Sequence, residues 1–328
     1  MLGQFTWRRG ACALAVFAGA LLAASPNGAD QVDGLTIRGE YKGRTVLLTA
    51  TGRSAGAIES LQWGGTEFIN ASDQGRHLQS AVSYDGLTEC DNPTEAGSRA
   101  DGVGAAVSSS KLEAASVDGN ALRTRAQMAY WLRLGQKSAA CGAAQNDLPT
   151  SISSTVLDKT VRFLPGFDNV LEHRISFEMA RARKLAQFEV LTAYMPQRFA
   201  AFYTCNPAGA VLRPLTDGPG EQALPVVLAT SDGVHALGLY TPQAAEGALR
   251  GPGYGRWRFQ KERVTKSNVV FRLDDAAAGP HRFVVYSVFG SLDDVCRSIA
   301  RLHGSADVAA RAAAPVSAAL AEVADNRD

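Results

Sequence analysis

Short runs of alternating apolar residues, joined by turn-forming residues, restrict the fold of this chain more than any other feature. Residues 224–230 and 234–240 flank the hairpin sequence Ser-Asp-Gly at 231–233. Further strand-like runs occupy residues 44–51, 57–63, 120–134, 160–163, 170–179, 268–273 and 281–288. Many strands without alternating helices exclude a parallel α/β domain. We therefore predict an all-β fold, a single large antiparallel β-sandwich.

A helical pattern appears at the C-terminus. Ser291 precedes Asp293 and Asp294 in the arrangement of an N-cap with an acidic first turn, which predicts a C-terminal helix over residues 295–302. Gly304 is expected to end this helix. We predict that residues 30–304 form the β-sandwich domain and that residues 305–328 form an Ala-rich tail.

The first 29 residues have the pattern of a secretory signal. Arg8 and Arg9 precede an apolar run at 11–24, which is followed by a zone of small residues. This run is shorter than the ~18–20 residues that span a bilayer. Cleavage is predicted after Ala29, with Ala24 as the alternative. We expect a periplasmic or secreted protein with no membrane attachment after signal cleavage.

Charge and cysteine spacing limit the classes of partner. The chain has a formal net charge of +1 and no Lys/Arg run, which argues against nucleic acid as a partner. The cysteines outside the predicted signal are Cys90, Cys141, Cys205 and Cys296. They permit disulfides in an exported protein, and buried free thiols fit equally well. Their wide spacing disfavours a zinc site, and the Asp and His residues show no metal-ligand spacing, so we expect no metal and no cofactor.

Polar side chains concentrate in residues 73–97, which we interpret as one wall of a carbohydrate-binding cleft. Proton transfer is assigned to His77, Asp85 and Glu89. In a strand, His77 would share a polar face with Gly75 and Gln79, which favours a ligand-facing ring. The alternative is that Asp85 caps the turn at Gly86 and Glu89 is solvated. Sugar contacts are assigned to Arg76, Gln79, Asn92 and Glu95.

A second polar and aromatic segment spans residues 194–222. Tyr194 and Arg198 suit abstraction of a uronic acid C5 proton, with the arginine neutralising the carboxylate. Glu221 follows a turn and is assigned to proton transfer. Paired carboxylates would instead suit glycosidic cleavage. Trp257, between two arginines, is assigned to substrate binding because an aromatic and basic segment suits an acidic glycan, although an exposed strand with an arginine stacked on the tryptophan would explain it equally well.

The segment 56–61 (GAIESL), with Trp63-Gly64-Gly65 and residues 67–69 (EFI), resembles galactose mutarotase-like proteins. This resemblance implies a β-supersandwich, a domain found in aldose epimerases and as part of glycoside hydrolases and polysaccharide lyases. It also implies that Arg76 occupies a position where such proteins often place a sugar-contacting arginine. The two histidine segments typical of aldose epimerases, Asn-His-x-Tyr/Phe and His-Gly-Gly, do not occur in the sequence.

Together these features predict an exported protein that cleaves or epimerises an oligo- or polysaccharide by His/carboxylate acid–base chemistry. The reaction stays open between hydrolysis, lyase cleavage and epimerisation. The main alternative is a non-catalytic periplasmic glycan-binding protein that uses the same cleft. A structural envelope protein is a third possibility, which the concentration of polar residues at 73–97 disfavours.

Overall fold

The computed structural model describes residues 34–73, 75–86, 88–102, 107–132, 135–136, 138 and 151–313, so the predicted signal lies outside them. They contain nineteen strands: β1 (Leu35–Tyr41), β2 (Arg44–Ala50), β3 (Ile58–Trp63), β4 (Thr66–Glu67), β5 (Leu78–Tyr84), β6 (Pro93–Thr94), β7 (Lys111–Asp118), β8 (Ala121–Tyr130), β9 (Ile152–Phe163), β10 (Val170–Met179), β11 (Arg183–Pro196), β12 (Ala201–Asn206), β13 (Val211–Leu215), β14 (Gly220–Gln222), β15 (Val226–Ala229), β16 (Ala236–Tyr240), β17 (Leu249–Phe259), β18 (Val264–Ala276) and β19 (Gly279–Gly290). The helices are α1 (Leu292–His303), α2 (Ala306–Ala313) and the short 3₁₀ turns Gly52–Ser54 and Arg99–Asp101.

The strands pair antiparallel in one connected network that folds over on itself. One run has the order β13-β12-β15-β16-β19-β10-β9-β8-β7, and a second has the order β14-β17-β18-β11-β5. The short strand β6 pairs with both β5 and β8 and so links the two runs. β3 pairs with β5, β2 pairs with β3, and β1 pairs with β2. The prediction of an all-β antiparallel sandwich is confirmed.

Aromatic side chains fill the space between the two runs. Phe188 of β11 lies 5.1 Å from Phe177 of β10, and Phe271 of β18 lies 5.2 Å from Phe283 of β19, measured between ring centroids. Fully burying one such ring stabilises the fold by roughly 1.5–3 kcal/mol. Because side chains alternate along a strand, the neighbours of these phenylalanines point away from the core. This alternation leaves the other side of β11 and β18 available for polar groups.

The predicted C-terminal helix is present as α1, with Ser291 as its N-cap. The Asp294 amide donates to the Ser291 hydroxyl at 3.3 Å, and the Asp294 carboxylate accepts from the Ser291 amide at 3.3 Å, which forms a capping box. A disulfide between Cys205 of β12 and Cys296 attaches the helix to the sandwich. Cys90 is also disulfide-bonded, and Cys141 lies outside the described residues.

The chain continues beyond Gly304 into α2, whose Val308 is buried in the same apolar cluster as α1. The division at residue 304 stays a prediction. Neither α1, α2 nor any other helix within the described part of the chain has the length and apolar character of a membrane-crossing segment.

Candidate functional site

One side of β5, β11, β18 and β17 carries polar and aromatic side chains instead of core residues. We call it the polar face and define it by Gln79, Glu189, Tyr194, Lys266 and Trp257. Cross-strand register places these residues side by side: β11 pairs Tyr194 with Lys266, and β17 pairs Trp257 with the same lysine. Gln79 pairs with Thr192 of β11 and is buried, so the sequence-predicted Gln79, Tyr194 and Trp257 share one side of the sheet.

A β-bulge in β11 brings Glu189 and Thr192 to the same face. Strict alternation would put residues three apart on opposite sides of the sheet. The register shifts between Glu189 and Leu191, so that one extra residue is accommodated and the alternation restarts. The Thr192 hydroxyl then donates to Glu189 Oε2 at 3.1 Å.

Glu189 is the centre of the polar face. Lys266 Nζ and Asn268 Nδ2 each donate to its Oε2 at 2.8 Å, in addition to the Thr192 hydroxyl. Oε1 accepts no hydrogen bond from the described residues, and 20% of the side chain is exposed. Burial alone would raise the pKa of Glu189, but the Lys266 ammonium and these hydrogen bonds outweigh it and lower that pKa. The carboxylate is therefore ionised at neutral pH, with one oxygen open.

Lys266 lies between two aromatic rings. Its Nζ is 4.7 Å from the Trp257 ring centroid and 5.4 Å from that of Tyr194. Burial lowers the pKa of Lys266, but the adjacent Glu189 carboxylate raises it more, so the ammonium stays protonated. Burial raises the pKa of Tyr194, so the phenol keeps its proton at neutral pH.

Two glycines of β17 make room for these side chains. A Cβ on Gly255 would lie 2.2 Å from the Trp257 ring and 2.4 Å from Asn268 Oδ1. A Cβ on Gly253 would lie 2.2 Å from a carboxylate oxygen of Glu221. No side chain fits at either position without moving its neighbours. The Asn268 Oδ1 atom is buried and has no hydrogen-bond partner among the residues that the structure describes.

The sequence-predicted Glu221 lies beside the polar face in an ion pair. Arg272 donates to both of its carboxylate oxygens, at 2.8 and 2.9 Å. The same guanidinium donates from Nε to Gln187 Oε1 at 2.8 Å. Glu221 and Glu189 thus each have their own cation.

The two polar segments of the sequence meet at one end of the polar face. The Tyr194 amide donates to the His77 carbonyl at 3.1 Å, and the Asn70 amide donates to the Tyr194 carbonyl at 2.8 Å. A cavity of about 430 Å³ opens here, and both Arg76 and Arg198 line it. These two arginines, predicted from separate segments, are therefore brought together.

Two other predicted residues, His77 and Glu95, are enclosed by the fold, and Gln79 of the polar face is buried as well. His77 is fully buried, with a φ of 94°, and precedes β5 instead of lying within it. Burial, assisted by the Arg53 guanidinium, lowers its pKa to about 4. Glu95 is fully buried in contact with Lys159, and its Oε2 accepts from the Ser80 amide at 2.9 Å. Gln79 Oε1 accepts from the Ala96 amide at 2.9 Å.

The remaining predicted residues lie towards the opposite end of β5. Asp85 accepts from the Lys184 amide at 2.9 Å and from Arg183 at 3.0 Å, which ties the turn after β5 to the start of β11. Glu89 accepts from the Ser138 hydroxyl. Asn92 Nδ2 donates to the Val82 carbonyl at 2.9 Å. The structure does not bring Asp85, Glu89 or Asn92 to Glu189.

Sequence reasoning missed Glu189, Lys266 and Asn268. A signal was present, because polar residues recur at every second position at Gln187 and Glu189 and at Lys266 and Asn268, with Arg272 four residues further on. Such alternation indicates a strand with one polar side. As for metals, the described residues hold no group of three His, Cys, Asp or Glu side chains that could bind an ion.

Comparison with known proteins gives similarity to solved structures alone: no family model and no curated protein matches the chain. The heparan sulfate lyase HepC from Pedobacter heparinus aligns at 10% identity and a TM-score of 0.40, over 79% of this chain and 35% of that one. The Slr1438 protein from Synechocystis sp. PCC 6803 aligns at 9% identity and a TM-score of 0.41, over 78% and 96%.

YeaD from Salmonella typhimurium, provisionally named a mutarotase, aligns at 12% identity and a TM-score of 0.34, over 78% of this chain and 94% of that one. Mutarotases belong to the group of proteins that the N-terminal segment resembles. The chain spans 35% of the length of HepC.

Proposed function

We propose that this protein binds a carbohydrate on the polar face and acts on it by proton transfer through Glu189. The observation that carries the proposal is the open Oε1 of an ionised Glu189 beside Lys266 and two aromatic rings. An oxygen in this state accepts a hydrogen bond from a sugar hydroxyl or removes a proton from carbon. The predicted secretory signal supports a periplasmic or secreted location.

Aromatic rings and converging polar groups suit a sugar ligand. The Trp257 and Tyr194 rings offer apolar faces against which the C–H groups of a pyranose ring pack. Lys266 donates hydrogen bonds and Glu189 accepts them within the same few ångströms. Ligand sites of this type combine an apolar surface with a small number of placed polar groups.

The cation beside each carboxylate favours proton abstraction over two-carboxylate hydrolysis. Hydrolysis of a glycosidic bond requires one carboxylic acid that is protonated and one carboxylate. On this surface Glu189 is paired with Lys266 and Glu221 with Arg272, so neither carboxylate has the apolar, cation-free surroundings that favour a protonated acid. A single base, Glu189, and a protonated phenol, Tyr194, suit lyase cleavage or epimerisation, in which one group removes a proton and another supplies one.

A non-catalytic glycan-binding protein is the second candidate. The three donors to Glu189 Oε2 favour it, because they fix the carboxylate in one orientation, as a hydroxyl acceptor requires. Both functions use the same face. They differ in whether Glu189 exchanges a proton with the ligand.

The test is a screen of the purified protein against neutral and uronic oligo- and polysaccharides. Product is followed by absorbance of unsaturated sugars, by reducing-end release and by NMR exchange between epimers. We expect product that disappears in Glu189→Gln and persists in Glu113→Gln, a control on the exposed strand β7. If both variants still bind glycan and none of the proteins forms product, the result would favour the non-catalytic glycan-binding protein. Equal activity in all three proteins would overturn the role of Glu189.

A further inference from the structure

The cavity at the end of the polar face is unusually rich in arginine. Arg76, Arg198 and Arg263 line its volume of about 430 Å³, with Glu262 as the acidic member of the lining. Ligand pockets in proteins commonly measure about 300–1,000 Å³, so one sugar unit fits. The lining therefore offers a cationic environment of the size of a monosaccharide.

The three guanidinium groups use few of their donors within the protein. Their partners among the described residues are Ser72 Oγ (2.6 Å) and Asp73 Oδ2 (3.3 Å) for Arg76, the Glu67 carbonyl for Arg198, and Gln197 Oε1 (3.3 Å) for Arg263. Asp73 offsets part of the charge of Arg76. Within the part of the chain that the structure describes, Arg198 and Arg263 contact no carboxylate. Planar guanidinium donors without a partner suit carboxylate, sulfate or phosphate oxygens.

The cavity continues the polar face instead of forming a separate site. Pro196, which lines it, is two residues beyond Tyr194 on β11. Arg263 lies in the turn that connects β17 to β18. The pairing of these two strands ends two register positions beyond the pair of Trp257 and Lys266, and the turn begins there. Two residues of a strand span roughly 7 Å. A sugar ring packed on Trp257 would therefore place a substituent within reach of the arginines.

We propose that the ligand is an anionic carbohydrate whose charged group binds in the cavity between Arg76, Arg198 and Arg263. This inference rests on the proposed function, because it assigns the sugar ring to the polar face. The shared chemistry is an oxyanion on the sugar: a uronate carboxylate, a sulfate or a phosphate. Each accepts the forked pair of N–H donors that an arginine presents.

The experiment compares binding of matched sugars that differ in charge alone. The pairs are oligogalacturonate with its carboxyl-reduced form, a heparin oligosaccharide with its desulfated form, and glucose 6-phosphate with glucose. We expect at least about tenfold tighter binding of the charged member of one pair, since hydrogen bonds to charged groups supply that difference. The difference in affinity between the charged and the neutral sugar should decrease as the salt concentration is raised. The pair that shows it identifies the oxyanion.

The double variant Arg198→Gln/Arg263→Gln should lose this preference while it still binds the neutral sugar. Arg123→Gln, a control on β8 with a 3.9 Å contact to Asp118, should keep it. Binding that is equal for charged and neutral sugars, or a preference that survives the double variant, would overturn the anionic ligand and leave the polar-face proposal standing. Absence of binding to any sugar would overturn both.

Discussion

Two lysine–carboxylate pairs in this protein share their chemistry and differ in their surroundings. Lys159 and Glu95 lie in the interior with no exposed side-chain surface. Lys266 and Glu189 lie on the polar face, where 12% and 20% of their side chains are exposed. In the interior pair, Oε1 of the carboxylate accepts from the lysine and Oε2 accepts from the Ser80 amide. In the other pair, Oε1 of Glu189 has no partner among the described residues.

This difference distinguishes a structural pair from a functional one. A carboxylate whose oxygens are both used has nothing left to offer a ligand, and its charge must stay neutralised because water cannot reach it. A carboxylate with one open oxygen can accept a proton or a hydroxyl. We therefore expect the interior pair to control stability and the pair on the polar face to control activity.

The largest expected effect on stability comes from breaking the interior pair. Glu95→Ala leaves the Lys159 ammonium buried without its counter-ion, and we expect the free energy of unfolding to fall by about 3–5 kcal/mol. Urea denaturation followed by circular dichroism measures this. The double variant Glu95→Ala/Lys159→Met removes both charges and should recover much of the loss. A Glu95→Ala protein as stable as the unmodified one would contradict the distinction.

The second prediction concerns the pH dependence of stability, which two interior histidines should control. Burial lowers the pKa of His77 to about 4 and that of His173 to about 3, from an ordinary 6.5. Between these values and 6.5 the unfolded chain binds protons that the folded chain does not. The contribution of these histidines to the free energy of unfolding is therefore fully present above pH 6.5. As the pH is lowered, it decreases by about 1.4 kcal/mol per pH unit for each histidine.

Denaturation at about pH 7.5 and about pH 5 checks this second prediction. His77→Gln should reduce the difference in unfolding free energy between the two conditions by about half. His281→Gln, a control at an exposed hydrogen bond to the Ala277 carbonyl, should leave the difference unchanged. A difference that is the same in the protein and in His77→Gln would mean that His77 does not stay neutral in the fold.

The third prediction tests whether the polar face needs its glycines. Gly255→Ala places a Cβ 2.2 Å from Trp257 and 2.4 Å from Asn268 Oδ1, and overpacking of this kind costs about 1–3 kcal/mol. Sugar binding should weaken as well, because Trp257 must move. Gly209→Ala is the matched control, since its Cβ would meet Val211 at an ordinary 3.5 Å. Equal melting temperatures and equal sugar binding in the two variants would contradict the close fit.

The fold was predictable because its signals are local. The Ser-Asp-Gly turn at 231–233 does separate two paired strands, β15 and β16, and Ser291 does cap α1. Each of these features depends on a few adjacent residues. The structure places the sequence-predicted Gln79, Tyr194 and Trp257 in β5, β11 and β17, where their alternation puts them on one side of the sheet.

The candidate site was less predictable because it depends on long-range pairing. Glu95 follows Pro93 in a loop-like sequence, but β6 lies between β5 and β8 and Glu95 is fully buried against Lys159 of β9. The sequence-based orientation of His77 assumed the alternation of a strand. Its positive φ places His77 outside that pattern. The bulge at residues 189–191 has no sequence marker, and it determines which residues accompany Glu189. The alternation of polar and apolar residues indicates that a strand has two different faces. It does not indicate which of these faces the rest of the protein covers.

The smallest expected change in stability accompanies the largest expected change in function. Glu189→Gln keeps the shape of the side chain and still accepts hydrogen bonds from Lys266 and Asn268, so we expect a loss of about 1 kcal/mol. Product formation should stop, because an amide cannot take a proton from carbon. Glu221→Gln separates the two carboxylates of this surface: if it stops the reaction while Glu189→Gln does not, the base is the sequence-predicted Glu221. A large stability loss in Glu189→Gln would instead make this pair structural, like that of Lys159 and Glu95.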